Sequence, residues 1–249
     1  MINIGGVILA AGKGTRMNST TTNKVALSLA GKPMIVHALD LLERLNVDPV
    51  VIVVGFAKES VMNAVTKKVI YAEQLERLGT AHAVETAIVK LPQDVENIIV
   101  IQGDDSAFYK EEALRKMIDV HLENNNSLTF LTVDLSDPTG LGRVIRDENG
   151  KILKIVEEKD ATSEERKVNE INPACYVFSV SFLRKYLPIV EKSEVTGEYY
   201  LVSLIEIAQK NNEKLEAVKG GFIAWRGVNT PEELLEAEKL YQEVNSKNS

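Results

Sequence analysis

Gly6-Val7-Ile8-Leu9-Ala10-Ala11-Gly12-Lys13-Gly14-Thr15-Arg16-Met17 is an apolar run that empties into a small, basic, glycine-containing loop. A strand covered on both faces reads as a continuous apolar run rather than an alternation, so this stretch predicts a buried parallel strand. The loop after it offers backbone N–H groups, the donors that phosphate oxygens need. Two common phosphate loops do not fit it. A dinucleotide fingerprint wants Gly or Ala three positions after Gly14, where Met17 stands, and an acid near the end of the second strand, where Gly55-Phe56 stand. A Walker loop wants four residues between its glycines and then Gly-Lys-Ser/Thr, whereas five separate Gly6 from Gly12 and Gly14 follows Lys13. Read alone, the loop stays open to being an ordinary strand-to-helix turn.

Outward from this loop the pattern alternates. Pro33 opens a helix with apolar Ile35, Ala38, Leu39, Leu42 and Leu45, and Pro49 to Gly55 follows as a second buried strand. Next come a helix near Lys58 to Val65, a strand near Lys68 to Tyr71, a helix from Thr80 to Val89, and the strand Asn97 to Ile101 ending in Gly103-Asp104. Such alternation predicts an α/β fold with a largely parallel sheet flanked by helices. After the helix Glu111 to Glu123 and the strand Leu128 to Val133, turns crowd together. Arg143 to Asp147 and Ile152 to Glu157 flank Glu148-Asn149-Gly150, a hairpin signal, so this half is expected to add antiparallel strands. Thr230-Pro231-Glu232-Glu233 joins an N-cap, a proline at the first helical position and a glutamate placed to reach back, predicting a last helix to about Asn245.

The chain has 249 residues, 45% apolar and 26% charged, with no repeat, low-complexity tract or Gly/Ser linker, so residues 1–249 are expected to form one domain. Net charge −7 without a Lys/Arg block argues against nucleic acid as a partner. No apolar run approaches the roughly 18–20 residues of a membrane span, and the first residues lack a basic secretory n-region, so no membrane partner and a cytoplasmic place are expected. One cysteine, Cys175, and three histidines exclude an internal disulfide framework and argue against structural zinc.

Leu9 to Met17, Lys24-Val25 and Leu29-Ala30-Gly31-Lys32-Pro33-Met34 together resemble the signature of the sugar-phosphate nucleotidyltransferases, or NDP-sugar pyrophosphorylases. The resemblance is closest to the uridylyltransferase part of bifunctional N-acetylglucosamine-1-phosphate uridylyltransferases. It extends through Gln74, Leu78 to Ala83, Gly103-Asp104, Asp137 to Arg143, Val156 to Thr162, Glu170-Ile171-Asn172, Gly197-Glu198-Tyr199-Tyr200 and Gly227-Val228-Asn229.

The resemblance implies a Rossmann-like nucleotide-diphospho-sugar transferase fold and a Mg²⁺-dependent reaction. A sugar-1-phosphate would attack the α-phosphorus of a nucleoside triphosphate and release pyrophosphate; UTP and N-acetylglucosamine-1-phosphate are the expected substrates. Another triphosphate or hexose-1-phosphate, or a non-catalytic nucleotide-sugar-binding subunit, are the alternatives. Arg16, Lys24 and Asp104 would be catalytic. Leu9, Ala10, Ala11, Gly12, Gly14 and Thr15 would hold the nucleotide, with Gln74, Gly79 and Thr80 at the base. Gly142, Glu157 and Asn172 would meet the sugar, and Asp104 with Asn229 would hold Mg²⁺. His82 is expected to pack near a helix start, and Cys175 to be a buried side chain in an apolar strand. No hexapeptide repeats of a left-handed β-helix domain are present.

Some positions depart from the pattern. Asn23 stands where proline usually precedes the lysine, predicting a less rigid loop. Asp105-Ser106-Ala107-Phe108 replaces a residue followed by Pro-Leu, Pro173-Ala174 replaces Thr-Gly, and Ser203 stands where aspartate is common. Several of these lie toward the sugar side.

Overall fold

The computed structural model describes residues 4–17, 19–139, 141–156, 158–222 and 227–246. Its strands in chain order are β1 (Ile4–Ala10), β2 (Ser28–Leu29), β3 (Lys32–Pro33), β4 (Val50–Val54), β5 (Ile70–Glu73) and β6 (Asn97–Gln102), then β7 (Leu128–Asp134), β8 (Arg143–Arg146), β9 (Ile152–Val156), β10 (Glu170–Ile171), β11 (Tyr176–Ser179) and β12 (Leu215–Phe222). The helices are α1 (Met34–Arg44), α2 (Lys58–Ala64), α3 (Thr80–Ile88), α4 (Glu111–Glu123), α5 (Val180–Tyr186), α6 (Ser203–Lys210) and α7 (Pro231–Ser246).

Every residue of β1 is buried. It pairs in parallel with β4 and β6, so Val7 lies between Val51 and Val100. Alternate side chains feed two cores. Val7 and Leu9 join Val51, Val53 and Val100 on one face, while Ile8 and Ala10 join Ile52, Val54 and Ile101 on the other. Both faces are therefore covered, which is why the strand reads as unbroken apolar sequence.

Ten strands form one mixed sheet in the order β5-β4-β1-β6-β11-β7-β10-β8-β9, with β12 beside β7. The β5-β4-β1-β6 block is parallel. β11 then runs antiparallel to both β6 and β7, and β12 runs parallel to β7. The mixed, mostly parallel sheet flanked by helices agrees with the expected fold class. β5 begins two residues later than the apolar pattern indicates, because its register to β4 pairs Val51 with Ile70 and Val54 with Glu73. The β8–β9 hairpin forms as expected: Gly150 takes φ +80° and the Asp147 carboxylate accepts from the Asn149 and Lys151 amides at 2.9 and 2.8 Å.

Among the described residues no helix is long and apolar enough to cross a membrane. A third, smaller core lies under α7, where Ala237, Leu240 and Tyr241 pack with Met17, Leu29 and Phe108. This packing carries the segment just before α7 to the carboxyl ends of β1 and β6, where open α/β sheets place ligands.

Candidate active site

The loop after β1 closes one wall of a cavity of about 510 Å³. Leu9, Ala10, Ala11, Gly12, Gly14 and Thr15 all line it. Among the described residues the Gly12, Lys13 and Gly14 amides donate to no protein acceptor, so a run of N–H groups remains for an anion. A Cβ on Gly12 would meet nothing within 4 Å, so the room beside it is not filled by protein. Gly14 takes φ +56°, the left-handed region that glycine enters at little cost, and this turns the chain back so that Met17 N–H bonds Gly14 O at 2.8 Å.

Asn23 overturns the expectation of a looser loop. Its side chain is buried, and its Nδ2 lies 3.0 Å from Ala10 O, 3.1 Å from Gly12 O and 2.8 Å from Phe56 O. Its Oδ1 accepts from Val25 N–H at 3.2 Å, and its own N–H donates to Ser60 Oγ at 2.9 Å. Where the related pattern uses a proline ring, this chain uses an amide that ties the loop to the ends of β1 and β4.

That tie aims the next residue. The Lys24 ammonium is ion-paired with the Asp104 carboxylate and also donates to Asn229 Oδ1 at 3.1 Å and Val228 O at 3.0 Å. Lys24 and Asp104 line the cavity. Asn229 is held by its own N–H, which donates to the Glu233 carboxylate at 2.6 Å, while Glu233 N–H bonds the Thr230 hydroxyl at 3.2 Å. Glu233 thus reaches past the helix cap to anchor Asn229. The structure brings together three expected site residues separated by up to 205 positions.

Asp104 and Asn229 already face a single cation, the Lys24 head, with hard oxygen donors. One carboxylate and one amide oxygen suit Mg²⁺, which keeps most of its coordination for phosphates and water. Among the described residues no group of three or more His, Cys, Asp or Glu side chains converges on a possible metal position. The donor set fits an ion shared with a phosphate substrate rather than one enclosed by protein.

Gln74, Gly79 and Thr80 also line this cavity. Gly79, at φ +108°, lies so close to the Gly197 to Tyr200 segment that a Cβ would come 2.4 Å from Tyr199 O. Tyr199 N–H donates to Leu78 O at 2.7 Å and Ala81 N–H to Tyr199 O at 3.0 Å. The Thr80 hydroxyl accepts from Leu201 N–H at 2.9 Å, so this side chain joins two wall segments.

A second cavity of about 210 Å³ shares Thr80 and Gln102 with the first. Gly142 and Asn172 line it, which places the expected sugar-side residues next to the nucleotide-side ones. Asn172 Oδ1 accepts from Ala174 N–H at 2.6 Å, and Nδ2 is buried with no partner among the described residues. A buried donor left unsatisfied marks a place for a ligand acceptor. Glu157 lies outside the described residues.

Arg16 does not line the cavity. It is exposed on the short turn Thr15–Met17, next in sequence to the lining residue Thr15, whereas Lys13 and Arg77 are among the lining residues. Both are exposed, and Arg77, unlike Lys13 in the glycine loop, belongs to no motif that sets it apart in the sequence. Cys175 has no route to chemistry: it is fully buried just before β11, and burial, followed by the nearby Asp105 charge, pushes its thiol up.

A family model described as nucleotidyl transferase matches residues 5–244. The chain is 40% identical over 94% of its length to the bifunctional protein GlmU of Thermoanaerobacter pseudethanolicus, covering 50% of that protein. It is 42% identical over 93% of its length to that of Exiguobacterium sibiricum, covering 51%, and 39% identical over 96% to that of Clostridioides difficile, covering 52%. The chain thus spans about half the length of the curated relatives it matches. Among solved structures it superposes with TM-score 0.79 on a Bacillus anthracis protein crystallised with sucrose and provisionally described as a glucose-1-phosphate thymidylyltransferase. That match covers 96% of this chain and 95% of the other at 21% identity, a likeness of fold.

Proposed function

The chain belongs to the nucleotidyl transferase family, and from that premise we propose that it joins a sugar-1-phosphate to a nucleoside triphosphate with release of pyrophosphate, using UTP and N-acetylglucosamine-1-phosphate. The observation that carries this reading is the convergence of Lys24, Asp104 and Asn229 at the edge of a cavity walled by unpaired loop amides. The relatives named GlmU support the choice of substrates.

The reaction needs little acid–base help. A phosphate monoester has its second pKa at about 6, so at neutral pH the nucleophile is already mostly dianionic. The obstacle is repulsion between two anions, and the site meets it with position and charge. The Gly12, Lys13 and Gly14 amides cradle the triphosphate. Lys24 and Lys13 bring positive charge to its phosphates, and Arg16, next to Thr15, offsets charge on the departing pyrophosphate. Asp104 and Asn229 would hold Mg²⁺, which when bound supplies charge neutralisation between the phosphate groups. Gln74 reads the base, and Asn172 Nδ2 offers its donors to a sugar hydroxyl or acetamido oxygen, beside the Gly142 backbone and Glu157.

The test is pyrophosphate release across a panel of triphosphates and sugar-1-phosphates, with and without Mg²⁺. Release with UTP and N-acetylglucosamine-1-phosphate, abolished by chelation, is the expected result. Release with a different pair moves the substrate assignment and keeps the chemistry. An inert panel overturns catalysis.

A further inference from the structure

Gln74 is more constrained than a free base-reading amide. Its side chain is buried in the cavity wall, and Nε2 lies 3.0 Å from Gly79 O and 3.0 Å from His82 Nδ1. A carbonyl oxygen only accepts, so the group facing Gly79 O must be the amide nitrogen. The second N–H of that nitrogen then meets His82 Nδ1, which must be the unprotonated, accepting nitrogen of the ring. Both Gln74 donors are consumed inside the protein. Oε1 is left, and it has no partner among the described residues.

Resting on the functional reading above, we infer that His82 is a positioning residue for base choice: it locks Gln74 so that only a hydrogen-bond acceptor faces the nucleobase. Directed at the ring N3, such an acceptor pairs with the imide N–H of uracil or thymine and meets a repelling lone pair on cytosine. A glutamine free to rotate would offer N–H to cytosine as readily as C=O to uracil and would discriminate poorly. Gly79 O alone holds one end of the amide; His82, from the first turn of α3, removes the remaining donor that a rotated or tilted amide could offer to the base.

The test compares UTP and CTP with N-acetylglucosamine-1-phosphate and Mg²⁺, by kinetics and by calorimetric binding, in the wild type and two variants. In His82→Asn, Oδ1 is bonded to Cγ as Nδ1 is in histidine, so an acceptor remains near the same place. His82→Leu fills similar space without one. The wild type is expected to favour UTP. His82→Asn is expected to keep the UTP/CTP ratio of kcat/KM within about threefold, and His82→Leu to lower it about tenfold through KM, with kcat and melting temperature near wild type. If the leucine variant does not fold, His82→Phe keeps the ring and gives the same readings. Equal affinity of the wild type for the two triphosphates, an unchanged ratio in the folded leucine or phenylalanine variant, or an equal fall in kcat with both substrates, overturns the inference. A wild type that binds UTP over CTP but releases no pyrophosphate overturns the catalytic reading instead, and the calorimetric ratio still decides the role of His82.

Discussion

Asp104 brings a carboxylate to the cavity lining, and its role depends on that charge. It balances Lys24, and Asn229 shares the same cation. Asp104→Asn keeps shape and hydrogen bonding but removes the charge, so turnover is expected to fall at least about a hundredfold with the fold intact by circular dichroism and melting. Near-normal turnover would remove Asp104 from the reacting centre. Ala174 makes a different prediction. It holds φ +57°, in the left-handed region, where the family pattern has glycine, and it lines the smaller cavity. Ala174→Gly relieves that backbone and is expected to raise stability by about 1 kcal/mol in urea unfolding; a loss of stability would show the strain to be absent. The two residues differ in how far the sequence reveals them. Asp104 is legible because it follows an apolar strand at the end where ligands bind. The saturated donors of Gln74 are not legible, because their partners, Gly79 O and His82 Nδ1, reach it only after the chain has turned into α3. Asn23 was misleading for a related reason: its side chain acts through three carbonyls, one of them on Phe56, 33 residues away.

The elements that read well are those covered on both sides. β1, β4 and β6 appear as unbroken apolar runs because a core lies on each face, and α4 has the bounds its sequence indicates. β12 gives little warning of itself. It contains Glu216, Lys219, Gly220 and Gly221, is mostly only half-buried, and becomes a strand because β7 offers an open edge along which Leu215 to Lys219 pair. The departures at Asp105 and Pro173 also make sense at this scale. The Tyr109 hydroxyl lies 2.9 Å from Asp105 Oδ2 and 3.0 Å from Pro173 O, so the segment after β6 and the segment before β11 are fastened to one another. The junction between α3 and the Tyr199 segment is tighter still. With φ +108° and a Cβ position 2.4 Å from Tyr199 O and 2.8 Å from Tyr199 N, Gly79 has no room for a side chain. Gly79→Ala is expected to lose about 2 kcal/mol or more in chemical denaturation and to raise KM for the triphosphate, because the wall shared by the two cavities must move. Wild-type stability and KM would show that the two segments give way freely.

At the scale of the molecule, the order of strands was the least legible feature, since neighbours such as β6 and β11 are brought together by the return of a chain some 75 residues later, with no local signal for it. One buried group reports on how well that assembly holds. His121 on α4 is 1% exposed and bridges two strands, with Nδ1 3.1 Å from Thr129 Oγ1 on β7 and Nε2 3.1 Å from Asn97 Oδ1 on β6. Nε2–H donates to Asn97, which leaves Nδ1 to accept from the threonine hydroxyl, so the ring fits in its neutral form. Burial pushes its pKa down to about 4, against an ordinary value of 6.5. The unfolded chain therefore takes up a proton near pH 6.5 that the folded protein refuses until about pH 4. Stability from this group is fully present above pH 6.5 and is lost as pH falls toward 4, by about 3 kcal/mol at the limit. Urea unfolding of the wild type at pH 7 and pH 5 is expected to show this decline, on top of what the carboxylates contribute. In His121→Gln, which does not titrate in this range, the protein starts less stable but loses less between the two pH values. Equal losses in the two proteins would mean that the ring is protonated inside the fold, and that α4 does not seal the sheet against water at this point.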